Sequence, residues 1–170
     1  MYGDLPILVM DTFESTLVAT LEELAVRSPL LAVVKVEKVE FLPASAAWGE
    51  LPATRLTFSV LRTFQGEVKA SEAIHVTTLG GPFREGILGM VFAVLPQTPR
   101  LFVGDTLTVA LMRHPDEPER WIQKDAAGWM LLAKDGTIAP GENAEILGVA
   151  GMTLDQFDTR IKTAQAAATP

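Results

Sequence analysis

Leu56-Thr-Phe-Ser-Val-Leu-Arg-Thr-Phe-Gln-Gly66, then Ala73-Ile-His-Val-Thr-Thr-Leu-Gly-Gly81, then Gly104-Asp-Thr-Leu-Thr-Val-Ala-Leu-Met112 decide how this chain folds. The three runs are rich in Val, Ile, Phe and Thr and each is bounded by glycine, the signature of strands on a half-buried surface. Over 54–64, Leu56, Phe58 and Val60 share one face, and Arg55, Thr57 and Ser59 the other. Over 73–79, Ile74, Val76 and Thr78 oppose His75 and Thr77. Gln65-Gly66-Glu67 turns the chain, Gly80-Gly81-Pro82 is expected to end the second run abruptly, and 106–112 reads as a central strand.

Working back towards the N-terminus, 30–41 is a further strand. Val33, Val34, Val36 and Val39 give way to alternation with Lys35, Glu37, Lys38 and Glu40, so one face is expected buried and the other wet. Ahead of it, Phe13, Leu17, Leu21 and Leu24 recur at helical intervals, and Thr20-x-x-Glu23 has capping-box spacing. A helix is expected over 20–27, stopped by Ser28-Pro29 because a residue before proline is pushed out of the α region. The apolar run 5–10 is a short strand or a tail that docks on a partner. Between the strands, 42–53 holds Pro43, Gly49 and Pro52 and reads as a loop carrying Trp48.

Towards the C-terminus, 83–100 surrounds the apolar patch Met90-Val-Phe-Ala-Val-Leu95 with Gly86, Gly89, Pro96 and Pro99. It is too interrupted for a helix and too apolar for full solvation, so it is expected to fold back over a barrel mouth or sheet edge. Residues 114–120 form a polar, proline-bearing turn, and Trp121-Ile122 and 129–133 are expected as arms of a hairpin-like pair. Finally Thr153-x-x-Gln156 repeats the capping-box spacing, and Leu154, Phe157, Ile161 and Ala164 form the apolar stripe of a docked C-terminal helix over 153–165, with 165–170 frayed. The sum is one domain over 1–170, with a core at 20–135.

Composition narrows the function. With 170 residues, 48 % of them apolar and 21 % charged, the chain can bury a core of its own. Fourteen basic against twenty-one acidic residues leave a net charge of −7, with no run of Lys and Arg to grip a phosphate backbone, so nucleic acid is not an expected partner. No apolar segment has the length of a membrane span. The absence of cysteine excludes thiolate catalysis, thiolate metal sites and disulfides. Met1-Tyr-Gly-Asp-Leu-Pro6 has neither a basic nor a long apolar region of a signal peptide, which fits a cytoplasmic chain or an exported one whose signal is removed.

Reactive side chains are few and scattered. His75 alternates with apolar neighbours as a strand-face residue, and His114 in His-Pro-Asp-Glu-Pro-Glu119 belongs to a solvated acidic turn that matches no metal-site spacing. Gly80-Gly81-Pro82 lacks the Lys-Ser or Lys-Thr of a phosphate loop, and Gly66, Gly80, Gly104 and Gly128 read as turn glycines. Asp125 and Asp135 lack the spaced ligands and closing Glu of a calcium loop. No catalytic, cofactor-binding or metal-ligating set is expected.

In outline, Thr20-Leu-Glu-Glu-Leu-Ala-Val-Arg-Ser28, the strand over 30–39, Leu61-Arg-Thr-Phe-Gln-Gly66, His75-Val-Thr-Thr-Leu-Gly-Gly81 and Pro99-Arg-Leu-Phe-Val-Gly-Asp105 resemble a group of small, mostly exported bacterial domains. These domains, whose function is not known, are similar to the OB-like barrel of the tissue-inhibitor-of-metalloproteinase and netrin modules. The resemblance covers 20–135 and rests on turn glycines and apolar alternation. It implies an antiparallel OB-like β-barrel of five or more strands, flanked by an N-terminal and a C-terminal helix, in an exported protein. The inhibitors use an N-terminal cysteine to chelate the protease metal, and a cysteine-free chain has no such mechanism.

The leading expectation is therefore a non-catalytic protein-binding or assembly module without cofactor. Its candidate interface is Ile7, Val9, Trp48, Phe92, Leu95 and Trp121, motivated by a mean hydropathy of +0.26 in a chain without reactive clusters. The alternatives are a carbohydrate or small-ligand binder using Trp48 or Trp121, and a hydrolase built on a carboxylate pair or on His75 as base.

Overall fold

A computed structural model describes residues 4–9, 18, 20–46, 50–95, 97–124 and 126–168. The fold is mainly β: β1 (Ile7–Val9), β2 (Leu30–Ser45), β3 (Leu51–Gln65), β4 (Ala73–Glu85), β5 (Gly89–Val94), β6 (Thr106–Arg113), β7 (Trp121–Gln123) and β8 (Met130–Leu131), with helices α1 (Leu21–Arg27), α2 (Glu142–Ile146) and α3 (Leu154–Ala168).

Five of the strands close into a barrel. β2 pairs with β3, β3 with β4, β4 with β7, β7 with β6, and β6 returns to β2. A ring of five cannot alternate direction throughout, so one pair has to be parallel. It is β4–β7, joined at Val76↔Trp121. β1 also runs parallel to β5. Pairing is thus mixed, which corrects the all-antiparallel expectation.

β2 shows why the barrel has two apolar layers. Leu30, Ala32, Val34 and Val36 point inward to meet Leu56, Phe58, Val76, Leu107 and Trp129. Leu31 and Val33 point outward and are equally buried, under Leu21 and Leu24 of α1 and Phe157 and Ile161 of α3. The expected wet face therefore begins only at Lys35, whose side chain is 44 % exposed and pairs with Glu37 at 3.3 Å, past the stretch that α1 and α3 cover. A register shift between Val36 and Lys38 then puts Val39 against the interior. Edge-to-face rings mark both layers: Phe58 against Trp129 at 6.0 Å inside, Phe64 against Phe157 at 5.1 Å outside.

The helices start where the capping spacings place them. Thr20 Oγ1 accepts from Glu23 N at 3.1 Å, and α1 stops at Ser28 before Pro29. At α3 the box is reciprocal: Gln156 N donates to Thr153 Oγ1 at 3.3 Å and Thr153 N to Gln156 Oε1 at 2.9 Å. Phe157, Ile161 and Ala164 of its stripe are buried, and the helix continues through Ala168 where fraying was expected. Arg62 of β3 clamps α3 to the barrel, with Nη1 2.7 Å from Asp155 Oδ1 and Nη2 2.9 Å from Asp158 Oδ2.

Three further expectations are corrected. The loop expected at 42–53 is strand at both of its ends, because β2 runs through Pro43 to Ser45 and β3 starts at Leu51. The prolines are tolerated at this rim, where the register slips between Leu42 and Ser45. Trp121-Ile122 and Met130-Leu131 do not pair with each other, because β7 and β8 bind different stretches of the same strand, β6. Gly80-Gly81 does not end β4 but re-aims it. Pairing with β3 ends at Leu79, and from Gly80 to Glu85 the strand pairs with β5. Both glycines have positive φ, 118° and 140°, and a Cβ on Gly80 would meet Ala93 O at 2.6 Å, so only glycine makes this corner.

Candidate functional site

The corner at Gly80 sends the rest of β4 out of the barrel with β5 as a hairpin, and β1 adds a third strand along β5 at the sheet edge. This three-stranded arm carries five of the eleven large apolar side chains that are exposed among the described residues. Ile87 is 93 % exposed and Leu88 62 % at the hairpin tip, Met90 40 %, and Ile7 and Val9 59 % each. Register puts Ile7 opposite Phe92 and Val9 opposite Val94, so Ile7, Val9 and Met90 share one sheet face. The expected fold-back over 83–100 is thus a β-hairpin, and the sequence patch at 90–94 is its returning strand.

The arm's root is fixed by Arg100. Its guanidinium lies 4.1 Å from the Phe92 ring centroid and 5.5 Å from that of Phe102, and Phe41 meets Phe92 edge-on at 5.6 Å. Phe92 is consequently 7 % exposed, core rather than surface. The other expected interface residues divide. Trp121 is 7 % exposed, with the Arg113 guanidinium 4.0 Å over its ring, which removes it as an open stacking platform. Leu95 is half-buried in the wall of a cavity, Ile7 and Val9 are exposed, and Trp48 lies outside the described residues.

That cavity, of about 290 Å³, lies between Leu95, Thr98 and Pro99 on one side and Trp129, Met130 and Pro140 on the other. One buried side chain holds its rims together. Asn143 Nδ2 lies 2.7 Å from Gln97 O and 2.9 Å from both Ala126 O and Trp129 O, so two hydrogens serve three carbonyls, while Oδ1 is buried without a partner. Gln97 itself has a left-handed backbone, φ 59°. Strain and an unmet acceptor at one rim are costs that a purely structural turn avoids. A second cavity, of about 30 Å³, is lined by Thr54, Thr78, Phe92 and Arg100 and shares Val94, Thr98, Pro99 and Trp129 with the first.

The reactive residues are not assembled. His75 Nδ1 lies 3.2 Å from Thr57 Oγ1 on the exposed barrel surface, and His114 Nδ1 accepts from Asp116 N at 3.2 Å inside its own turn. Asp135 Oδ1 accepts from Thr137 Oγ1 and Thr137 N, which lower the Asp135 pKa as a turn-closing carboxylate rather than as a metal ligand. Asp125 lies outside the described residues. Among the described residues no three His, Asp or Glu side chains converge on a metal position, and no helix is long and apolar enough to cross a membrane.

Two residues escaped the sequence reading, Asn143 and Arg100. Arg100 had a signal, being the one charged residue in the stretch 86–104. Asn143 had none, because the carbonyls it gathers are distant in sequence. The chain matches no family model and no curated protein by sequence.

Proposed function

We propose that the protein is a non-catalytic, OB-like binding module that docks an apolar surface of another protein chain, a second copy or a different partner, through its arm. The strand order β2-β3-β4-β7-β6 with one parallel pair supports the OB-like reading, as do helices from both ends of the chain packed on its outer layer. The observation that carries the function is the arm itself. Ile7, Val9, Ile87, Leu88 and Met90 stand out on strands that leave a barrel whose core is already filled. Apolar side chains grouped on a projecting sheet are characteristic of interaction surfaces.

Photo-crosslinking tests this reading. A benzophenone amino acid at Met90 is expected to capture a protein chain, whereas the same probe at Leu61, 48 % exposed on the barrel, is expected to capture none. Equal capture, or none, from both positions contradicts the assignment.

A further inference from the structure

Arg100 carries a second site. Of its three guanidinium nitrogens, Nη1 reaches the carbonyl of Leu5 at a long 3.5 Å, while Nε and Nη2 are buried and make no hydrogen bond among the described residues. In a planar guanidinium, the Nε–H and the adjacent N–H of Nη2 point the same way and form the fork that a carboxylate grips with both oxygens. No described carboxylate forms an ion pair with it. The faces of Phe92 and Phe102 offset part of the cost of burying this cation, but a ring face leaves the in-plane fork unsatisfied.

The fork nitrogens are closed off, so an anion reaches them only when the Arg100 side chain turns towards the small cavity that this residue lines. The 30 Å³ cavity that Arg100 lines has room for a group the size of one or two waters, which suits a carboxylate. The 290 Å³ cavity next to it is walled mainly by apolar side chains, among them Leu95, Trp129, Met130 and Pro140, at the small end of ligand pockets. Val94, Thr98, Pro99 and Trp129 line both. We infer that together they bind a small monocarboxylic acid with an apolar body, its hydrocarbon along Trp129 and its carboxylate in the small cavity, where it pairs with the Nε/Nη2 edge of Arg100 once that side chain turns towards it. A neutral apolar molecule would leave the fork unpaired, and a phosphate dianion would face a single cation in too small a space. Asn143 lines the larger cavity and ties Gln97 to Ala126 and Trp129 across it. Val9 of the arm also lines the larger cavity, but the site does not rest on the docking proposal.

The test is calorimetric titration of the full chain with octanoate and with octan-1-ol. Octanoate is expected to bind once per chain and at least about 10-fold more tightly than the alcohol, the scale of a charge-assisted fork. Arg100→Met is expected to weaken octanoate by about 10-fold or more and leave the alcohol unchanged. Should Arg100→Met fail to fold by circular dichroism, Ala139→Leu, which narrows the larger cavity from its wall, is expected to weaken octanoate on a folded chain. No octanoate binding at millimolar concentration, equal affinity for acid and alcohol, or normal octanoate binding by folded Arg100→Met overturns the inference. Normal octanoate binding by Ala139→Leu overturns it equally.

Discussion

β4 belongs to two regions that pack differently, one closed on its own core and one that leaves apolar side chains exposed at its tip and edge. Its first half, before Gly80, lies in the barrel, where Ile74 is 4 % and Val76 0 % exposed and every inward side chain meets another. Its second half lies in the arm, where Arg84 and Met90 stand opposite each other in the open and Ile87 is 93 % exposed. The barrel spends its apolar residues on its own stability. The arm buries Val91, Phe92 and Ala93 but leaves Ile7, Val9, Ile87, Leu88 and Met90 exposed, and under the docking proposal these are where another chain sits.

Substitutions in the two regions should separate accordingly. The largest effect belongs to the barrel: Phe58→Ala, removing a ring packed on Trp129, is expected to lower unfolding free energy by about 3–5 kcal/mol in denaturant titration. Asn143→Ala, which strands three carbonyls between barrel and α2, should cost about 2–3 kcal/mol. Gly80→Ala tests the hinge between the regions, because it forces a side chain into φ 118° and against Ala93 O. A loss of about 1–3 kcal/mol is expected, with faster amide exchange confined to β5 and β1 while β2 and β6 stay protected.

A smaller effect lies at the clamp between β3 and α3. Burial opposes the charge of Asp158, but hydrogen bonds from Lys162 and Arg62 outweigh it and hold its pKa below the ordinary 3.8. A depressed folded pKa means that the stabilisation is fully present above the unfolded value and is lost as pH falls through the folded one. Asp158→Asn is therefore expected to cost about 1 kcal/mol at pH 7, discounted for the half-exposed partners, and the gap from wild type should close below pH 3.8. A gap that persists in strong acid would assign the loss to packing instead.

The barrel was legible because its determinants are local. Alternation at Leu56, Phe58 and Val60, the turn at Gly66 and the boxes at Thr20 and Thr153 each act within a few residues and were read correctly. What escaped depends on partners far along the chain. Leu31 and Val33 look like half of an alternating strand, and only the return of α3 from the C-terminus makes both faces of β2 apolar. Gly80-Gly81 has the composition of a strand end, and whether a positive φ stops a strand or bends it depends on β5 being there to pair with the continuation. The parallel β4–β7 contact follows from closure with an odd number of strands, which alternation cannot signal. Of the candidate interface residues, Ile7 and Val9 are exposed, whereas Phe92 and Trp121 are buried beneath Arg100 and Arg113, which come from elsewhere in the chain.

Light scattering on natively purified protein tests the division between barrel and arm most directly, comparing wild type with Ile87→Ser/Leu88→Ser. Exposed surface positions carry little folding energy, so the variant should match wild-type stability within about 0.5 kcal/mol. Wild type is expected to elute as an assembly heavier than 18.4 kDa, with itself or with a bound partner, and the variant as an 18.4 kDa monomer. Identical monomers, or a variant that keeps the wild-type mass, would contradict the assignment of the arm as the docking surface.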